Sequence, residues 1–160
     1  MRLSEILHEE HQRTLVVLDE LDGWRGKKQP ADIETIKKLL EALIDVAESD
    51  IRCHYAFEEN HLFPILRTHG AEFMTNMLQG EHAIIRPIAI ELSGVAQTAL
   101  IEGFTSDTWT KFLELSFEFI GHETFHIQKE EMGLINALNQ MLDHDTEAPL
   151  IEAYKTSKDI

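Results

Sequence analysis

His54-Tyr55-Ala56-Phe57-Glu58-Glu59-Asn60-His61-Leu62 recurs 72 residues later as His126-Ile127-Gln128-Lys129-Glu130-Glu131-Met132-Gly133-Leu134, with His, both Glu and Leu in register. A second pair repeats at an offset of 71. Glu10-His11, eight residues and Glu20-Leu21-Asp22-Gly23 are matched by Glu81-His82, eight residues and Glu91-Leu92-Ser93-Gly94. The order along the chain is therefore His, His-x-x-x-Glu, His, His-x-x-x-Glu. Residues at i and i+4 of a helix lie one turn apart on the same face. A twice-written imidazole–carboxylate pair, each preceded by a lone histidine, predicts a two-metal site with approximate twofold symmetry.

Apolar spacing around these motifs predicts four helices. Ile6, Leu7, Leu15, Leu18 and Leu21 form the first stripe, with Ser4 as N-cap, and Gly23, Gly26 and Pro30 mark a long loop. Asp32 caps a second helix through Ile36, Leu39, Leu40, Leu43 and Val46, continuing past Phe57 to a last turn or kink at Pro64. His69-Gly70 connects to a third helix from about Ala71 to Leu100, bent at Pro87. Beyond a turn at Gly103–Ser106, Ser106 or Asp107 caps a fourth, carrying Phe112, Leu115, Phe119, Ile127 and Leu138. Strand-like alternation is absent. The expected fold is all-α, an up-down-up-down four-helix bundle, with residues 1–145 as one domain. Residues 146–160 form a tail in which Pro149 starts a short fifth helix.

His54 and His82 lie at similar distances either side of the turn at His69-Gly70, as do His82 and His126 about the later turn. In antiparallel helices rising roughly 1.5 Å per residue, these side chains reach one level. The first connection is less regular, because His54 is farther from Asp32 than His11 is from Gly23. The long loop or an overhang of the second helix must absorb the difference.

The whole chain has 160 residues, enough for one domain with a sizeable core. Its net charge of −15 argues against nucleic acid and against an anionic membrane surface. No unbroken run of about 20 apolar residues is present, and the acidic N-terminus does not read as a secretory signal. The single cysteine, Cys53, agrees with a reducing compartment, so a cytoplasmic location is expected.

Imidazole with carboxylate suits iron, manganese or zinc better than calcium or magnesium. A ferritin-like arrangement requires Glu-x-x-His on two helices. Glu123-x-x-His126 satisfies it, but Ile51 occupies the equivalent position before His54. The elements Glu10-His11, His54-x-x-x-Glu58-Glu59-x-x-Leu62-Phe63-Pro64, Glu81-His82 and His126-Ile127-x-x-Glu130-Glu131 together resemble the hemerythrin-like, or HHE cation-binding, domain family over residues 3–142. That resemblance implies a bundle around two iron ions. His11 and His54 would hold one and His82 and His126 the other, with Glu58, Glu130 and an oxo or hydroxo group as bridges.

Oxygen-carrying hemerythrins place a second histidine one turn from the third-helix ligand. Here those positions are Leu78 and Arg86. The departure implies open iron positions and a small diatomic partner, O2 or NO. It places the chain nearer the HHE and iron–sulfur cluster repair branches, without the cysteine-bearing N-terminal segment of full-length repair proteins. Iron or oxygen storage or sensing without turnover, peroxide detoxification or cluster repair, and a structural zinc site are the alternatives, so enzymatic activity stays open. Outside the duplication, His122 lies one turn before His126 and is a candidate further ligand or acid–base group, the blander reading being a supporting histidine. His8 and His61 rank after it, while Glu59 and Glu131 read as ion-pair partners.

Overall fold

The computed structural model describes residues 1–158, all in helices or their connections, with no strand among them. The helices are α1 (Leu3–Asp22), α2 (residues 33–68), α3 (Glu72–Glu102), α4 (residues 106–141) and α5 (His144–Lys158). Each of α1 to α4 packs on two neighbours, α1 on α2 and α4, and α3 on the same two. This is the up-down-up-down bundle. Asp159 and Ile160, the last residues of the expected tail segment, lie outside the described residues.

The helix-forming stripes are the ones that become buried. In α2, Ile36, Leu39, Leu40, Leu43 and Val46 recur every three or four residues and all face inward. Two apolar clusters result. One, with Leu18, Leu40, Leu92, Trp109, Phe112 and Phe119, fills the half nearer the long 23–32 loop. The other, with Leu3, Leu7, Phe57, Phe63, Leu78 and Leu138, fills the half nearer the 69–71 turn and includes Leu150 and Tyr154 of α5. The duplicated His and Glu residues lie on the helices between them.

Two expected caps move, and one helix starts earlier than expected. Arg2, not Ser4, is the N-cap of α1, and the buried Ser4 hydroxyl donates to Asn139 at 2.8 Å instead. Thr105 caps α4, its hydroxyl accepting the Thr108 N–H at 3.1 Å while Thr108 Oγ1 accepts the Thr105 N–H at 2.8 Å. Asp143 accepts the Thr146 N–H at 2.8 Å, so α5 starts at His144 and carries Pro149 inside it. The fifth helix is therefore longer than Pro149 alone suggests.

Three stretches are π-helical: Ala47–His54, Glu58–Leu62 and Glu130–Leu134. The Phe63 N–H bonds the Glu58 carbonyl and the Ile135 N–H bonds that of Glu130, five residues back in each case. A wider turn uses more residues per unit length. The Ala47–His54 stretch thus takes up residues between Asp32 and His54, along with the long loop. That loop is pinned by Trp109, whose indole N–H donates to the Lys27 carbonyl at 2.8 Å.

Candidate metal centre

Helix geometry delivers the two His-x-x-x-Glu pairs as anticipated. His54 Nε2 is 2.6 Å from Glu58 Oε1, and His126 Nε2 is 2.8 Å from Glu130 Oε1. Across the bundle, His82 Nε2 lies 3.2 Å from Glu58 Oε2 and His11 Nε2 lies 3.5 Å from Glu130 Oε1. Two groups emerge, His11, His54, Glu58 and Glu130, and Glu58, His82, His126 and Glu130. In each, one donor atom per residue falls within 4.8 Å of all the others, and every member is buried. Both carboxylates are common to both groups.

All four imidazoles turn Nε2 toward the centre and Nδ1 toward an outer carboxylate. His11 Nδ1 meets Glu131 at 2.6 Å, His54 meets Glu10 at 2.9 Å, His82 meets Glu59 at 3.1 Å and His126 meets Glu81 at 2.8 Å. Such an acceptor fixes the ring tautomer and raises the basicity of the inward nitrogen. Each outer carboxylate in turn holds a basic side chain: Glu10 pairs with Lys158, Glu81 with Lys129, Glu59 with Arg86 and Glu131 with His8. Glu10 and Lys158 join α5 to this shell.

The centre itself lacks internal satisfaction. His11 Nε2, Glu58 Oε2 and Glu130 Oε2 are buried without a hydrogen-bond partner, Glu58 Oε2 despite its proximity to His82. Orphaned buried polar atoms of this kind are costly, and a cation among them relieves the cost. Burial disfavours charge on His126, but Glu130 beside it outweighs that and pushes its pKa up to about 11. Likewise burial opposes, and Glu58 more than restores, the charge on His54, which is raised well above the ordinary range. Glu130 is held well below the usual carboxylate range against its burial, His126 being the chief cause. Protons thus occupy the imidazoles where a metal would displace them.

The chain matches the model of the hemerythrin HHE cation-binding domain over residues 2–138. It belongs to the hemerythrin family. Comparison with curated proteins and with solved structures returned no match. A cation-binding role for this hemerythrin domain agrees with the two His/Glu groups.

The remaining histidines fall outside both groups. His8 is half exposed on Glu131, at 2.9 Å. His61 stacks on Phe57, centroids 5.7 Å apart. His122 lines a groove of about 420 Å³ between α3 and α4, together with Ile84, Phe117, Phe125 and the buried His126. Glu59 and Glu131 are the expected ion-pair partners, and their contacts with His82 and His11 give them a further part.

Four participants were not among the expected ligands. Glu10 and Glu81 support the imidazoles of the neighbouring helix, a role signalled by their repetition directly before His11 and His82. Tyr55 and Glu123 left no such signal. The Tyr55 ring stacks on His82 with centroids 3.7 Å apart and 7° between planes, and its hydroxyl donates to the buried Glu123. Their repeat equivalents are Ile127 and Ile51, so the hemerythrin site is polar on one side where its symmetry mate is apolar. Burial pushes both Tyr55 and Glu123 above their usual ranges. Nearby, Asp50 accepts from Thr14 and is pushed up to about 6, chiefly by burial.

Proposed function

We propose that this is a non-haem di-iron protein that binds or reacts with O2 or NO. One observation carries the reading: two buried four-donor groups share both of their carboxylates. His11 and His54 would hold one iron and His82 and His126 the other, with Glu58 and Glu130 available to both. Two nitrogens and two carboxylates per ion suit iron's intermediate preference for nitrogen and oxygen. When bound, iron supplies the electrons and the open position that a diatomic requires.

The chain's own residues support that role. Leu78 and Arg86 occupy the positions one turn either side of His82, and Arg86 is engaged with Glu59 rather than with the centre. Four protein donors per ion leave room for an exogenous ligand. The apolar clusters on both sides exclude bulk water from it. The single free cysteine, Cys53, is consistent with the cytoplasm as the working compartment.

The test is anaerobic purification, iron quantification, and absorption spectra before and after addition of O2 or NO. About two irons per chain and a spectral change with either gas are expected. Fewer than about one iron per chain after reconstitution would refute the di-iron assignment. Reversible change would mark carriage or sensing, and turnover with an electron donor would mark catalysis.

A further inference from the structure

The outer face of α3 and α4 is more apolar than the fold of a single chain explains. By length and composition α3 is apolar enough to cross a membrane, yet only 33% of its most apolar 18-residue window is buried. Phe73, Met77 and Ile84 of α3 and Phe117, Phe125 and Met132 of α4 are 37–87% exposed. Helical spacing places the three on α3 within about 40° of one another, and those on α4 within about 80°. The two rows flank the groove, whose lining includes Ile84, Phe117 and Phe125. We propose that this face is the interface between two copies of this chain.

Size is the first argument. At roughly 200 Å² for a fully exposed large side chain, the six expose on the order of 700 Å². The largest apolar patch on a monomer is commonly about 300–600 Å², whereas a standard interface buries about 800 Å² on each partner.

Charge is the second. The chain carries −15, but residues 73–80 contain no charged side chain. Between Glu118 and Lys129 the only carboxylate is Glu123, which is buried on Tyr55. Glu81 and Lys129, at the groove, neutralise each other. Glu118 is the one further carboxylate in the groove lining, so the face is nearly neutral on an acidic protein and suits a second copy, whose like charges then meet elsewhere. It lacks the basic patch that an acidic partner or an anionic membrane would require.

Shape is the third. The face is a groove between two ridges, and a Cβ added at Gly121 in its lining would meet nothing within 4 Å. A twofold axis across it sets Phe125 of each copy toward the groove of the other, as an isologous interface requires. Pairing this way roofs the groove that reaches His126.

The experiment is sedimentation equilibrium on the full chain at tens of micromolar, with circular dichroism on every variant. The expected mass is twice the 18.4 kDa of one chain. Phe125→Asp and, independently, Ile84→Asp should halve it while leaving the helical spectrum unchanged. Ile90→Asp, at a 64% exposed position on another face of α3, should leave the dimer intact. A wild-type monomer at these concentrations overturns the proposal, including one that sediments with phosphatidylcholine vesicles. A dimer surviving both Phe125→Asp and Ile84→Asp overturns it as well.

Discussion

Replacing Glu10 by Gln keeps an acceptor 2.9 Å from His54 Nδ1 but removes its negative charge. Glu81→Gln does the same to His126, now at 2.8 Å. Losing such a supporting carboxylate typically weakens metal binding about 10- to 100-fold, or about 1.4–2.7 kcal/mol. The twofold arrangement makes the effect local. Glu10 supports the position built on His11 and His54, and Glu81 supports the one built on His82 and His126.

A His82→Ala background isolates the first position. There, anaerobic titration with ferrous iron against a chelator of known affinity should give about one metal per chain. Glu10→Gln should weaken it 10- to 100-fold, while Glu81→Gln should change it less than about twofold. Equal weakening by the two substitutions would refute the assignment of each carboxylate to its own metal position.

Two further predictions concern the unsymmetrical side of the site. Tyr55→Phe strips the hydroxyl donor from the buried Glu123 and should cost the metal-free protein about 1–3 kcal/mol in urea denaturation. Adding Glu123→Gln should recover part of this, and an unchanged midpoint for Tyr55→Phe would mean that the contact contributes nothing. Asp50 has its pKa raised from 3.8 to about 6, so the folded protein binds its proton more tightly than the unfolded chain. Its contribution is complete below pH 3.8 and is lost as pH rises to about 6. Asp50→Asn should therefore stabilise the metal-free protein by up to about 3 kcal/mol at pH 7 and by little near pH 4. Equal effects at both pH values would contradict the buried-acid account.

The sequence discloses the bundle and the candidate donor set for one reason: both were written twice. Periodic leucines and isoleucines alone would have defined the helices, and the matched positions of His11 and His82 singled them out from nine histidines. What stayed hidden depends on tertiary contact. Tyr55 has no duplicated counterpart, and nothing local shows that its hydroxyl meets Glu123 on another helix. The cap of α4 is expected at Ser106 or Asp107, and the reciprocal bonds of Thr105 and Thr108 place it at Thr105 instead. At α5 Pro149 is the stronger local signal, while the Asp143 cap lies earlier in the chain.

The widened turns after Glu58 and Glu130 carry a consequence for the architecture beyond the site. Each advances the chain by an extra residue before the next hydrogen bond closes, which rotates everything downstream relative to a regular α-helix. Phe63 and Leu66 on one helix, and Leu134 and Leu138 on the other, lie in or beyond these turns and reach the same apolar cluster. Because both helices slip by a matching amount at matching places, they leave the level of the candidate metal centre in phase. The duplication is thus inscribed in the backbone's hydrogen bonding as well as in its side chains. An insertion or deletion in one copy alone would put two well-formed helices out of step.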